Sequence, residues 1–241
     1  MKDRVDIASI VIYCDALECE KEWRKTASQN DLALLDQTIR QLQAMGLTEI
    51  QCFSDIKHRR IKDKKAIAVL TETILKWDDW GKEAELIGVI GIRGNTNATE
   101  KIIRSYERMP ENEKRGCAFY DNALARIADK RYKDVYLGWA KSWKDLSHFG
   151  LLMDCLSKWG FEEGKDIFLY QLFSKEDYEL YDPVNYYNHR NQAYMNALTA
   201  LSKYTDTDGR IESALKKVIA ETDYQDLREA AVRALKKLKK A

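Results

Sequence analysis

Four leucines constrain the fold of this chain more than any other feature. Leu124, Leu156, Leu198 and Leu235 each close a pair of a small residue followed by a large one: Ala123-Leu124, Cys155-Leu156, Ala197-Leu198 and Ala234-Leu235. Three residues beyond each stands another large apolar side chain, Ile127, Trp159, Leu201 and Leu238, so both members share one helix face. A weaker copy lies upstream at Gly88-Val89 with Ile92. Positions 89, 124, 156, 198 and 235 are 35, 32, 42 and 37 residues apart. Self-similarity at such a period is the signature of a helical repeat array.

Each marker has an apolar partner upstream, at Leu70, Ile103, Leu137, Leu169 and Leu215, preceding it by 19, 21, 19, 29 and 20 residues. This is the spacing of paired helices, and no such pair buries its apolar face without neighbours stacked against it. With only two prolines and eleven glycines in 241 residues, long helices are favoured over a sandwich or barrel. The expectation is an all-α chain, an α-solenoid of about five to six helix pairs. Residues 1–60 form a helical N-terminal cap, and 61–241 a single continuous array. In the cap, Val5, Ala8 and Ile12 suggest one helix, and Leu32, Leu35, Ile39 and Leu42 line one face of another. Ser28 with Asp31 caps that second helix and Gly46 stops it.

Helix punctuation recurs along the array. Asn97 with Glu100 suits a helix start, and Met109-Pro110 an end, because proline disfavours helix in the residue before it. Gly160 and Gly164 bracket a turn and Asp208-Gly209 makes another. Asp223 with Asp226 places negative charge at the start of the last helix, and Lys236, Lys237, Lys239 and Lys240 complement its C-terminal dipole. Between Leu169 and Leu198 the chain carries about ten extra residues, an insert from Ser174 to Asn188 holding Tyr178, Tyr181, Tyr186 and Tyr187. Two readings of it stand side by side: a recognition loop presenting rigid amphipathic rings, or an ordered loop packed on its neighbour helix.

Forty basic against thirty-nine acidic residues give a net charge of +1, which argues against a dedicated nucleic-acid binder while leaving room for local patches. One such patch is Lys57 to Lys65, KHRRIKDKK, either a contact for phosphate or an acidic partner, or a solvated connector and helix start. The five cysteines have no metal-like pairing and read as free thiols in a reducing compartment. The apolar run Ile7 to Cys14 is short and flanked by Asp3 and Asp6, unlike a signal peptide, and no run has the length of a membrane span. A cytoplasmic location is expected. No phosphate-binding glycine loop, HExxH, GxSxG or CxxC occurs, and His58, His148 and His189 lack companion ligands at helical spacing, so no metal or cofactor is expected. Of the six tryptophans, Trp77 and Trp159 fall on apolar faces, whereas Trp80 and Trp143 sit at turns.

Residues 65 to 241 resemble the HEAT-repeat class of α-solenoids. The likeness is clearest in the last unit, where Leu227, Ala230, Ala231, Ala234, Leu235 and Leu238 pattern the second helix, with Asp223 in the turn and Arg233 inside. Gly88 and Gly91 make the first unit a poorer fit. The resemblance implies that second helices line a concave surface and that this surface binds a protein partner. Some alkylpurine DNA glycosylases are built from HEAT-like repeats, and Lys141-Ser142-Trp143-Lys144-Asp145 resembles the start of their active-site segment. Where that pattern would place its catalytic aspartate stands His148, and Lys144 replaces its second aromatic, so the catalytic chemistry is absent even if the fold is shared.

The expected function is therefore a non-enzymatic interaction scaffold with another protein as partner. Tyr186, Tyr187, His189 and Arg190 are the expected contacts, with Trp143, Lys144 and His148 on an adjacent unit. Arg93, Arg115, Arg126, Lys158, Lys203 and Arg228 complete a basic and aromatic surface on or near the second helices. Nucleic-acid binding, in a HEAT-like protein related to those glycosylases, is the alternative.

Overall fold

The computed structural model describes residues 18–59, 61–173 and 183–238, and among them the chain is helical with no strand. It divides into two compact units, Met1–Ile127 and Ala128–Ala241. The helix expected around Val5 to Ile12 lies outside the described residues, as do residues 174–182 of the tyrosine-rich insert.

In the first unit, a helix with described residues 18–26 (α1) precedes α2 (Gln29–Ala44), α3 (Phe53–His58), α4 (Lys64–Thr73), α5 (Trp80–Ile90), α6 (Thr99–Arg108) and α7 (Ala118–Ile127). The start of α2 is the one anticipated: Ser28 Oγ accepts the Asp31 N–H at 3.0 Å. At its other end Gly46 takes the left-handed φ of 93° that a side chain resists. Leu35, Ile39 and Leu42 face inward, and α2 packs on α4. α3 packs on α5, and α5 on α7, with α4 against α5 and α6 against α7. The contact of α5 with α7 is close because Gly91 has no side chain; a Cβ there would lie 2.5 Å from Ala123 Cα. The glycines that made this unit a poor repeat copy thus have a packing role.

The second unit contains α8 (Lys133–Lys141), α9 (Trp143–His148), α10 (Gly150–Lys158), α11 (Glu162–Phe173), α12 (Pro183–Leu201), α13 (Arg210–Glu221) and α14 (Gln225–Leu238). α8, α11 and α13 contact in sequence, as do α10, α12 and α14; α8 pairs with α10, α11 with α12, and α13 with α14. Leu124, Leu156 and Leu198 are buried, whereas Val89 and Leu235 are half-buried beside fully covered Ile90 and Ala234. Among the upstream anchors, Leu169 is half-buried and its neighbour Phe168 takes the core position.

Four local expectations are corrected. Asn97 lies inside a 3-10 turn, Thr96–Ala98, and does not cap α6; Asn95 instead ties that turn to the end of α5, donating to Ile90 O at 3.0 Å. Gly164 belongs to α11, where its missing side chain admits the Tyr204 hydroxyl, which donates to Phe161 O at 2.9 Å. Trp77 is buried, as its spacing predicts, but it lies past the end of α4 and not on its face, because the chain turns at Leu75 with φ 74°. The last part of the tyrosine-rich insert is helix and not loop: Pro183 opens α12, so Tyr186 and Tyr187 are helical positions.

Candidate functional site: the grooves beside the second helices

α9 is a short helix interposed between α8 and α10, and it carries Trp143, Lys144 and His148. Ser142 Oγ accepts the Asp145 N–H at 3.4 Å at its start. Its last carbonyls are satisfied from α12: buried Asn196 donates through Nδ2 to Leu146 O at 2.8 Å and Ser147 O at 3.3 Å. Gln192 Nε2 donates to Asn196 Oδ1 at 2.9 Å and orients that amide. Gly150 makes room for it, since a Cβ there would lie 2.6 Å from Asn196 Oδ1. Trp143, Lys144 and His148 are half-buried, and Lys144 Nζ lies 5.9 Å from the Trp143 ring centroid. Tyr186, Tyr187, His189 and Arg190 fall in the first turns of α12, the helix on which α9 packs. The two expected clusters therefore occupy neighbouring helices; the side chains of 183–190 lie outside the described residues.

The first unit has a groove of about 720 Å³ lined by α3, the segment after it, α5 and α7. Its rim carries Lys57, His58, Arg59, Lys62 and Arg126, facing a single carboxylate, Glu85. Glu85 is engaged by Lys57 at 2.9 Å and Lys82 at 3.6 Å, and Arg59 by Asp55 at 3.7 Å. Lys62 and Arg126 are exposed, with no carboxylate of the described residues in ion-pairing range. The floor is apolar: Val89, Ile92 and Phe119 around Gly88. Phe119 lays a ring edge on α5, where a Cβ on Gly88 would stand 2.8 Å from its Cδ1, and it is 37% exposed. The basic stretch and Arg126 were legible in the sequence. Phe119 was not, because nothing in its spacing separates it from a core residue.

In the second unit, a groove of about 740 Å³ runs between α12 and α14. Its lining mixes amides (Asn191, Gln192), carboxylates (Asp223, Asp226) and a Tyr224 ring that is 41% exposed. Glu229 lies 3.6 Å from Arg233 and accepts from Gln225 at 2.9 Å. Met195 and Leu227 supply its apolar part, and among its described lining residues carboxylates outnumber the one cation, Arg233.

One buried carboxylate of the first unit is closely enclosed by its partners. Glu83, fully buried, receives both oxygens' contacts from Arg108 Nη2 at 2.9 Å, the Leu75 N–H at 2.8 Å and the Ser105 hydroxyl. Ser105 Oγ is in turn 2.9 Å from the Tyr120 hydroxyl, whose pKa burial pushes up to about 12. Arg108 stacks on Trp80 at 4.5 Å. Both oxygens of that carboxylate are engaged by protein donors. Burial raises the Cys52 thiol to about 12 and the Cys117 thiol to about 11, the reverse of what a nucleophile needs. Among the described residues, no three His, Cys, Asp or Glu side chains converge as metal ligands, and no helix is long and apolar enough to cross a membrane.

No family model matches the chain, and neither a curated protein nor a solved structure matches it.

Proposed function

We propose that this protein is a non-enzymatic interaction scaffold of HEAT-like helix pairs that engages a partner protein along its second helices. The observation that carries this is the groove between α3, α5 and α7, where Lys62 and Arg126, without an ion-pair partner among the described residues, flank an apolar floor. A polar rim around an apolar centre is the usual anatomy of a protein interface. The α9–α12 pair, bearing Trp143, Lys144 and His148 beside the helical turns of Tyr186, Tyr187, His189 and Arg190, is a second contact region in this scheme.

The test places a benzophenone photocrosslinker at Val89, on the groove floor, and at exposed Arg104 on α6 as control. Irradiation in lysate should yield a discrete protein adduct from position 89 and none from position 104. Equal capture at both, or none, removes the proposal. Nucleic-acid binding is the second reading, favoured by the same two exposed cations; fluorescence anisotropy with DNA and RNA at low salt, where phosphate contacts are strongest, tests it.

A further inference from the structure

We propose that the groove between α3, α5 and α7 receives an acidic, extended peptide segment that seats one apolar side chain between its charges. The inference rests on the scaffold proposal and names its partner class.

Charge complementarity comes first. The only rim carboxylate among the described residues, Glu85, already has Lys57 and Lys82 within ion-pairing distance, and Arg59 is held by Asp55. Lys62 and Arg126 remain exposed and unpaired among the described residues, contributed by the segment after α3 and by α7 respectively. Carboxylates on an extended chain would meet both, with Arg126 able to grip one in bidentate fashion.

The floor then discriminates between acidic ligands. Val89 and Ile92 are half-buried and Phe119 is partly exposed, so an apolar side chain entering there would remove hydrocarbon surface from water on both sides. Gly88 keeps this floor low by letting Phe119 rest on the α5 backbone. Non-specific binding of single strands relies on bases stacking on open aromatic faces. Among the described residues the groove is lined by two rings, His58 on the charged rim and Phe119 on the floor, and the Phe119 ring edge is seated on α5. The groove's volume, about 720 Å³, is in the range of clefts that enclose a small ligand or side-chain cluster.

The experiment pans a phage library of random twelve-residue peptides on the full chain, with the double variant Lys62→Glu/Arg126→Glu for counter-selection. Enriched sequences should combine several Asp or Glu with a Leu, Ile, Met or Phe. A synthetic winner should lose about tenfold or more in affinity to the charge-reversed variant. The milder Lys62→Gln/Arg126→Gln should weaken it less, and Ile92→Ser should weaken it without altering its salt dependence. Because both cations are exposed, far-ultraviolet circular dichroism should be unchanged. Enrichment without acidic bias, or peptides indifferent to charge reversal, overturns the inference. So does a twelve-nucleotide single strand that binds more tightly than the best peptide and is lost in the double variant. A discrete adduct at position 89 lacking such a sequence would refute this inference while leaving the scaffold standing; no adduct and no enrichment would remove both.

Discussion

At the residue scale, Glu83 depends on Arg108. The carboxylate is fully buried, and Arg108 is the only cation in contact with it among the described residues. Arg108→Ala leaves a desolvated charge uncompensated, which costs about 3–5 kcal/mol in comparable buried pairs. A lowered urea midpoint by tryptophan fluorescence is the expected result; a change within about 0.5 kcal/mol would show that Ser105 and the Leu75 N–H suffice to hold the charge. Thiol chemistry gives a second prediction at this scale. With burial holding Cys52 at about 12 and Cys117 at about 11, iodoacetamide at pH 8 should label exposed Cys19 before either of them. The other two should lag by roughly tenfold or more, because the thiolate is the reactive form. Peptide mass mapping over time reads this directly, and raising the pH should speed Cys52 and Cys117. Neither the Glu83–Arg108 pair nor these thiols stood out in the sequence, where a glutamate and an arginine 25 positions apart look like any other surface charges.

At the element scale, two close approaches decide the packing. Gly91 lets α5 reach α7, and Gly91→Val would drive side-chain atoms into the Ala123 backbone. The expected cost is about 1–3 kcal/mol, the range for overpacking, with Ala123→Gly recovering only part because Ala123 Cα is itself in the way. Thermal unfolding of the single and double variants checks it. α9 depends on Asn196, whose amide closes two of its carbonyls. Asn196→Leu should cost about 1–3 kcal/mol, the penalty for buried polar groups left without partners. Amide hydrogen exchange should show loosening centred on 143–150; uniform loosening across the second unit would instead mean that Asn196 matters as core volume. The sequence announced the start and stop of α2 and the end of α6 at Met109-Pro110, because caps, glycines and prolines act over three or four residues. It misplaced Asn97 and Gly164, whose roles depend on partners far along the chain: a Cβ at Gly164 would collide with Tyr204.

At the scale of the whole molecule, the chain forms two compact units that meet in sequence at Ile127 and Ala128, each with its own buried apolar core. Destabilising one core should therefore leave the other's protection largely intact. In Arg108→Ala, hydrogen exchange should quicken in 18–127 well before 128–238; parallel quickening would mean a single cooperative block. Composition and periodicity alone determined that the chain is helical and placed Leu124, Leu156 and Leu198 in its cores, because burial follows a face that repeats every 3.6 residues. They also marked Lys57 to Lys65 as a concentrated positive charge. Only the tertiary structure decided that Lys62 and Arg126 share a groove, that Gly88 seats Phe119 at its floor, and that α9 lies against α12. The physical reason is range: helix formation and amphipathicity are local properties of the chain. A binding groove is made by residues some sixty positions apart, whose meeting depends on how closely helices pack, and here two glycines set that distance.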